Sequence, residues 1–353
     1  MENKINGRAT STVLNEIQRL KEFFGGKVLI AAHHYQQGDI VQFADAVGDS
    51  YRLAVIASQS DAQTIILCGV RFMAESAAIL ARPDQQVLLP EYFAGCPMAD
   101  MTSKETAEKA LKSIKRLTGK EVVPLTYMNS WVDLKALTGE KGGSICTSGN
   151  AKKILTHYFK QDCAVLFLPD KNLGYNTAKQ LGIDEREIAL VSQDGRLLSN
   201  NPQAKLFLWD GFCPTHKVFT AAQVESLRSS YPGIKLMVHP ECTKEVVSLS
   251  DLSASTEGMA KAIASSPAGS VLGVGTEYRF IERMIHENPD KKIIPLEKKC
   301  CRNMDLITPD KLLKVLNALK EGSEEEFRIS ISERDADDAR RALSTMIEIT
   351  EGV

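Results

Sequence analysis

No stretch of this chain comes near the ~20 consecutive apolar residues that a membrane-spanning helix needs. The first twenty residues, MENKINGRATSTVLNEIQRL, contain no apolar run of signal-peptide length either. The expectation is a cytoplasmic protein that stays where it is made. Charge of one sign is also lacking. Forty-three basic residues stand against 45 acidic ones, a net charge of −2, which creates no field to recruit nucleic acid or an anionic membrane surface. Cysteine is too scarce for a disulfide scaffold, with eight in 353 residues. In a reducing compartment such cysteines are buried hydrophobes, nucleophiles or metal ligands. Low-complexity segments and long linkers are missing as well. What the chain does have is length and 43% hydrophobic content, enough for a large core split into two or three domains around a small-molecule chemistry.

The organising feature is a repeat in three copies. Each opens on a short apolar run ending in polar residues: Lys27-Val-Leu-Ile-Ala-Ala-His33-His34-Tyr35, Glu121-Val-Val-Pro-Leu-Thr-Tyr127-Met-Asn129 and Lys235-Leu-Met-Val-His239-Pro-Glu241. Such runs read as buried parallel strands that deliver side chains at their carboxyl ends. Each is followed at nearly constant distance by a hydroxyl residue, Ser50, Ser148 or Thr256, and then by a further apolar run, so that each copy reads strand, helix, strand, helix, strand. A last run in each copy leads to a cysteine, Cys96, Cys213 or Cys301. Pro90 stands as far before Cys96 as Pro295 does before Cys301, and this register selects Cys301 over Cys300.

These patterns predict an α/β protein of three αβα sandwich domains related by a pseudo-threefold axis, their short parallel sheets surrounding one central site. The expected boundaries are residues 1–110 with an N-terminal helix capped by Ser11-Thr12, then 111–215, then 216–307. Residues 308–353 form a C-terminal helical segment that begins at Thr308-Pro309-Asp310 and packs back on the body.

A single cysteine is more often an ordinary buried residue than a ligand, but three at matching points form a trigonal set. That set suits a cubane iron–sulfur cluster with one iron open to substrate. Zinc is the rival metal, although three thiolates from separate repeats with no close CxxC pair are weak zinc spacing. Cys68, Cys146, Cys163 and Cys242 lie in or beside apolar runs without partners in every copy and read as core; Cys300 stays open between alternative ligand and redox partner.

The ordered motifs His33-x-Tyr35, Gly48-Asp-Ser50, Gly95-Cys96, Tyr127-x-Asn129-Ser130, Thr147-Ser148, Gly211-x-Cys213-x-x-His216, His239-Pro-Glu241, Ser255-Thr256, Gly275-Thr-Glu277 and Cys301-x-x-Met304 resemble the quinolinate synthase family from about Lys27 to about Thr308. The chain departs from shorter members in carrying extra residues between Lys135 and Thr147 and a doubled cysteine at 300 and 301. The resemblance implies a four-iron four-sulfur cluster on Cys96, Cys213 and Cys301. It further implies condensation of iminosuccinate with dihydroxyacetone phosphate to quinolinate, phosphate and water in de novo NAD biosynthesis. An aspartate oxidase or dehydrogenase that makes iminosuccinate would be its functional partner.

The residues suit those roles chemically. Hydroxyl and amide donors at strand ends, Ser50, Tyr127, Asn129, Ser148 and Thr256, hold a dicarboxylate at low desolvation cost. His33 and His239 add charge or shuttle protons. Glu241 and Tyr35 are the expected acid–base pair, on the assumption that burial brings their pKa values toward the operating pH. His216 and Lys217 are candidates for the phosphate, with a solvated lysine an equal reading. Two alternatives remain at this point: an iron–sulfur hydro-lyase acting on one substrate without phosphate release, and an iron–sulfur redox sensor, against which the absence of a basic DNA-reading segment counts.

Overall fold

The computed structural model describes residues 10–352. Residues 1–9, where the first expected repeat begins, and residue 353, where the C-terminal segment ends, lie outside the described residues. The structure is α/β, with three short, all-parallel sheets flanked by helices.

Two compact units divide the chain. One runs to Gly95 and takes in Cys300–Ser330; the other comprises Cys96–Lys299 and the residues from Ile331 onward. The first unit holds β1 (Val28–His33), β2 (Ala46–Gly48), β3 (Thr64–Cys68) and β4 (Gln86–Leu88) in the order β2-β1-β3-β4. The second unit holds two sheets. One contains β5 (Glu121–Tyr127), β6 (Ser144–Cys146), β7 (Cys163–Leu168), β8 (Ile188–Val191) and β9 (Leu206–Trp209), ordered β6-β5-β7-β9-β8. The other contains β10 (Lys235–Val238), β11 (Leu252–Ser253), β12 (Val271–Gly275) and β13 (Lys292–Pro295), ordered β11-β10-β12-β13. With β8 left out of the middle sheet, all three sheets repeat one order, second strand, first, third, last, as the internal repeat implies. Strand β8 is an edge addition to the middle sheet, paired in parallel with β9.

The central strands are mostly apolar, as expected of parallel strands flanked by helices. Every residue of β3, β7 and β9 is buried. The helix Ser11–Phe24 buries Ile17 and Leu20 and packs on the helix Pro309–Glu321 in the first unit. Its cap is Thr10, whose Oγ1 accepts the Val13 N–H at 3.4 Å; the expected Ser11-Thr12 hydroxyls instead sit inside the first turn. Thr308 caps the helix Pro309–Glu321 as expected, accepting from the Lys311 N–H at 3.3 Å. The helix Glu333–Glu351 packs in the second unit on the helix Val132–Glu140. Gly139 makes that approach possible, since a Cβ there would fall 1.8 Å from the Asp338 carbonyl oxygen.

Candidate active site

The carboxyl end of β10 gathers the densest polar cluster. His239, Glu241 and His216 are almost wholly buried, and burial of such groups is tolerated only when they partner one another. The His216 Nδ1 lies 2.6 Å from Glu241 Oε2 and 3.2 Å from the Cys213 Sγ. Its Nε2 lies 3.0 Å from the Thr276 Oγ1. Its ring stacks on that of His239, with centroids 4.5 Å apart and planes 20° apart. With Glu241 and Cys213 at Nδ1 and the Thr276 hydroxyl at Nε2, both ring nitrogens of His216 have polar partners.

Charge in this cluster is set by burial and by the two rings. Burial, reinforced by the His216 ring, pulls His239 down to about 3 against an opposing effect of Glu241, so the imidazole is neutral at physiological pH. Burial alone would raise the Glu241 carboxyl, but His239, His216 and Tyr127 outweigh it and hold the group low, at about 2. The carboxylate is thus ionised, and burial does not lift it toward neutrality as the sequence suggested. A second acid was not foreseen. Asp170, fully buried after β7, is pushed well above the usual carboxylate range by burial and then by Glu241, with the backbone N–H groups of Leu173, Asn172 and Cys213 acting the other way.

Asp170 also fixes the Cys213 segment. Its Oδ1 caps the helix Lys171–Gln180 through the N–H groups of Asn172 at 2.7 Å and Leu173 at 3.1 Å. The Lys171 N–H donates to the Gly211 carbonyl at 3.0 Å. Gly211 must be glycine, because a Cβ there would lie 2.3 Å from the Pro169 carbonyl oxygen. The segment after Cys96 packs onto the same place: the Trp209 Nε1 donates to the Met101 carbonyl at 2.8 Å, and the Trp131 Nε1 to Asp100 Oδ1 at 2.9 Å.

The thiols divide into two groups by burial. Cys68, Cys146, Cys163 and Cys242 are buried, while Cys96, Cys213, Cys300 and Cys301 are partly exposed. Burial pushes the Cys68 thiol up to about 12 and raises Cys146, Cys163 and Cys242 also, which disfavours the thiolate a metal needs. Cys96, Cys213 and Cys301 are partly exposed sulfur donors, as Cys300 is too, and thiolate sulfur is what an iron–sulfur group takes. The donor atoms of Cys213, His216 and Glu241 also lie within 4.8 Å of one another.

In the second unit the other expected donors lie at strand and helix ends, and of these Tyr127 hydrogen-bonds to Glu241. Tyr127 is buried and Asn129 half-buried at the end of β5. Their turn is pinned by the Ser130 hydroxyl, which donates to the Tyr127 carbonyl at 2.9 Å, and by the wholly buried Lys135, whose ammonium donates to the Ser130 carbonyl. Thr256 is the first residue of the helix Thr256–Ser265, capped by Ser255; Ser148 lies just ahead of the helix Ala151–Phe159. Helix N-termini suit carboxylates because their N–H groups point outward. The two loops are neighbours, since a Cβ on Gly149 would lie 3.5 Å from the Ser255 Oγ.

In the first unit, His33 is buried and Tyr35 half-buried, with ring centroids 4.6 Å apart in an edge contact. Ser50 opens the helix Ser50–Gln59 behind the Asp49 cap, the slot that Thr256 fills in its own sheet. Cys301 begins a turn sewn to the β1 end: the Gln36 Nε2 donates to the Met304 carbonyl at 3.2 Å and the Gln37 Nε2 to the Ile307 carbonyl at 3.0 Å. The Asn303 Nδ2 donates to the Gly95 carbonyl at 2.7 Å.

Sequence reasoning overlooked Asp170, Lys135, Gln36 and the linking role of His216. The available signal was position: Asp170 and Glu277 both follow the third strand of their sheet, both are fully buried, and both cap the next helix.

Similarity to known proteins agrees with this arrangement. The family model described as Quinolinate synthetase A protein matches residues 15–348. A quinolinate synthase of Bacillus pumilus (strain SAFR-032) is 41% identical over 348 residues, covering 97% of this chain and 94% of that protein. Those of Bacillus subtilis (strain 168) and Geobacillus sp. (strain WCH70) are each 40% identical, over 95% and 94% of this chain and 92% of each relative. With matched sequence along nearly its whole length, and three parallel sheets whose strand ends carry the motif residues, the chain belongs to the quinolinate synthetase A family.

Proposed function

We propose that this protein condenses iminosuccinate with dihydroxyacetone phosphate to form quinolinate, phosphate and water. The observation that carries the reading is the buried cluster of an ionised Glu241 and a neutral His239 beside His216 and Cys213. An ion-pair network built only for stability gains little from so costly a burial. A site that must bind a charged substrate and move protons on carbon requires it.

Cys96, Cys213 and Cys301 would hold a four-iron four-sulfur cluster. When bound there, the cluster supplies an open iron position that accepts a substrate carboxylate with a neighbouring nitrogen or oxygen and stabilises negative charge. The chain's own side chains do the rest. Ser50, Tyr127, Asn129, Ser148 and Thr256 donate hydrogen bonds to the substrate carboxylates, and His33 and His239 orient them. The His239 Nδ1 already accepts the Glu241 N–H at 3.4 Å, so the neutral ring carries its proton on Nε2 as a donor. Glu241 takes the proton from carbon as the enamine forms, and Tyr35 returns protons during the ketone-to-aldehyde shift, ring closure and dehydration. Aromaticity of the pyridine draws the late steps forward, so positioning and exclusion of water are the main tasks.

The reading includes a cytoplasmic setting and functional coupling to an aspartate oxidase or dehydrogenase that supplies the readily hydrolysed iminosuccinate. No helix among the described residues is long and apolar enough to cross a membrane. The test is phosphate release from dihydroxyacetone phosphate by anaerobically prepared protein. Release that depends on iminosuccinate supports the reading; a hydro-lyase or a redox sensor releases none.

A further inference from the structure

Ser148 stands on a turn whose shape is fixed from the far end of the chain. The Thr147 N–H donates to Asn150 Oδ1 at 2.6 Å, and the Thr147 hydroxyl reaches the same oxygen at 3.2 Å. The N–H groups of Asn150 and Ala151 return to the Thr147 carbonyl at 3.2 and 2.9 Å. The other end of the Asn150 carboxamide is also used: its Nδ2 donates to the Thr350 Oγ1 at 3.0 Å. The Thr350 carbonyl in turn accepts the Lys153 Nζ at 2.7 Å.

Thr350 lies in the last turn of the helix Glu333–Glu351. That helix is held by buried Ala339, Ala342, Leu343 and Met346 and by its close approach at Gly139. Asn150 is 6% exposed, so its amide depends on protein partners at both ends. The Thr350 hydroxyl gives the NH₂ end an acceptor and keeps the oxygen facing Thr147. Without it, the amide loses its reason to hold that orientation, and the turn carrying Ser148 loses its anchor. The packed helix alone supplies bulk; only the hydroxyl supplies direction.

We infer that the C-terminal helix is a strap for the substrate loop, with Asn150 and Thr350 as positioning residues that aim Ser148 at the dicarboxylate. The inference rests on the reading of Ser148 as a substrate ligand, and the variants are chosen to separate the two. The full-length, cluster-loaded enzyme is compared with Thr350→Val, Thr350→Ser, Asn150→Ala and Ser148→Ala. Iminosuccinate is generated in solution from oxaloacetate and ammonia, and iron content and thermal midpoint are read beside KM and kcat.

The strap predicts that Thr350→Val raises the KM for iminosuccinate by about 3- to 10-fold, the worth of one hydrogen bond. The KM for dihydroxyacetone phosphate, kcat and iron content should stay within about twofold on the same scale, and Thr350→Ser should restore the wild-type KM. Asn150→Ala should match or exceed the valine variant. An unchanged KM in Thr350→Val, beside a raised KM in Ser148→Ala, overturns the strap and leaves the substrate reading standing. No effect of Ser148→Ala overturns both. A midpoint loss in Thr350→Val with no KM change, or a KM change that serine does not rescue, reduces the contact to ordinary packing and also overturns the inference.

Discussion

The ends of β1 and β10 are built on one backbone plan and carry different chemistry. In each, a histidine accepts at Nδ1 the N–H of the residue two positions on: Tyr35 to His33 at 3.1 Å, and Glu241 to His239 at 3.4 Å. In each, the next N–H closes back on the histidine carbonyl, from Gln36 at 2.9 Å and from Cys242 at 3.0 Å. The hook fixes the ring and its tautomer in both places. What differs is the partner. His33 meets a phenol in an edge contact; His239 stacks on a second imidazole above a buried carboxylate. A repeated scaffold thus supplies a fixed imidazole, and the side chain two residues later decides whether a carboxylate or a phenol stands beside it.

The comparison breaks most visibly at Glu241. Glu241→Gln keeps the shape and most hydrogen bonds, so it should retain iron and bind substrates while kcat falls by roughly 10³-fold, within the range for loss of a general base. Rapid-quench product analysis should find an intermediate stalled on the protein. Tyr35→Phe should cost less, about 10²-fold, again with iron retained. A larger loss at Tyr35 than at Glu241, in steady-state kinetics, would reverse the assignment of the demanding proton transfer.

Smaller effects sharpen the picture. Thr256→Val should weaken dicarboxylate binding by about 1–3 kcal/mol, the cost of leaving a charged acceptor short of a donor, with iron unchanged. Substrate titration followed by calorimetry would measure it. His239 should also mark the acid stability of the fold. Its folded pKa of about 3 lies below its ordinary 6.5, so the unfolded chain binds the extra proton between those values. The stability is therefore full above pH 6.5 and falls toward pH 3, at up to about 1.4 kcal/mol per pH unit. Urea unfolding at pH 7.5 and 5.5 should show a smaller drop in His239→Asn than in the wild type; equal drops would mean the ring is not held neutral. The smallest effect belongs to a cap far from the chemistry: Thr308→Ala should cost about 1 kcal/mol of stability and leave kcat unchanged.

The sheets were legible because parallel strands covered on both faces must be apolar throughout, and three copies of Ile-, Val- and Leu-rich runs announce themselves. Cys68, Cys146, Cys163 and Cys242, which lie in or beside apolar runs, are buried, but exposure does not separate Cys300 from Cys96, Cys213 and Cys301. Less legible was anything set by packing between distant segments. Asp170 looks like a simple helix cap until the Cys213 segment folds against it, and Gln36 and Met304 meet across a long loop of chain. Strand β8 lies outside the repeat, so no copy elsewhere flagged it. The Glu241 carboxyl was expected to rise with burial, but the two imidazoles and Tyr127 that oppose burial come from three different stretches of sequence. Local pattern carries the frame; the electrostatics depend on which frames meet.

The most direct measurement is the yield of quinolinate and of phosphate from anaerobically prepared protein supplied with iminosuccinate and dihydroxyacetone phosphate, run beside Glu241→Gln. The account predicts both products in equal amounts from the wild type, and bound substrate without quinolinate from the variant. Phosphate without quinolinate from the wild type, or a near-normal limiting rate in Glu241→Gln, would contradict it.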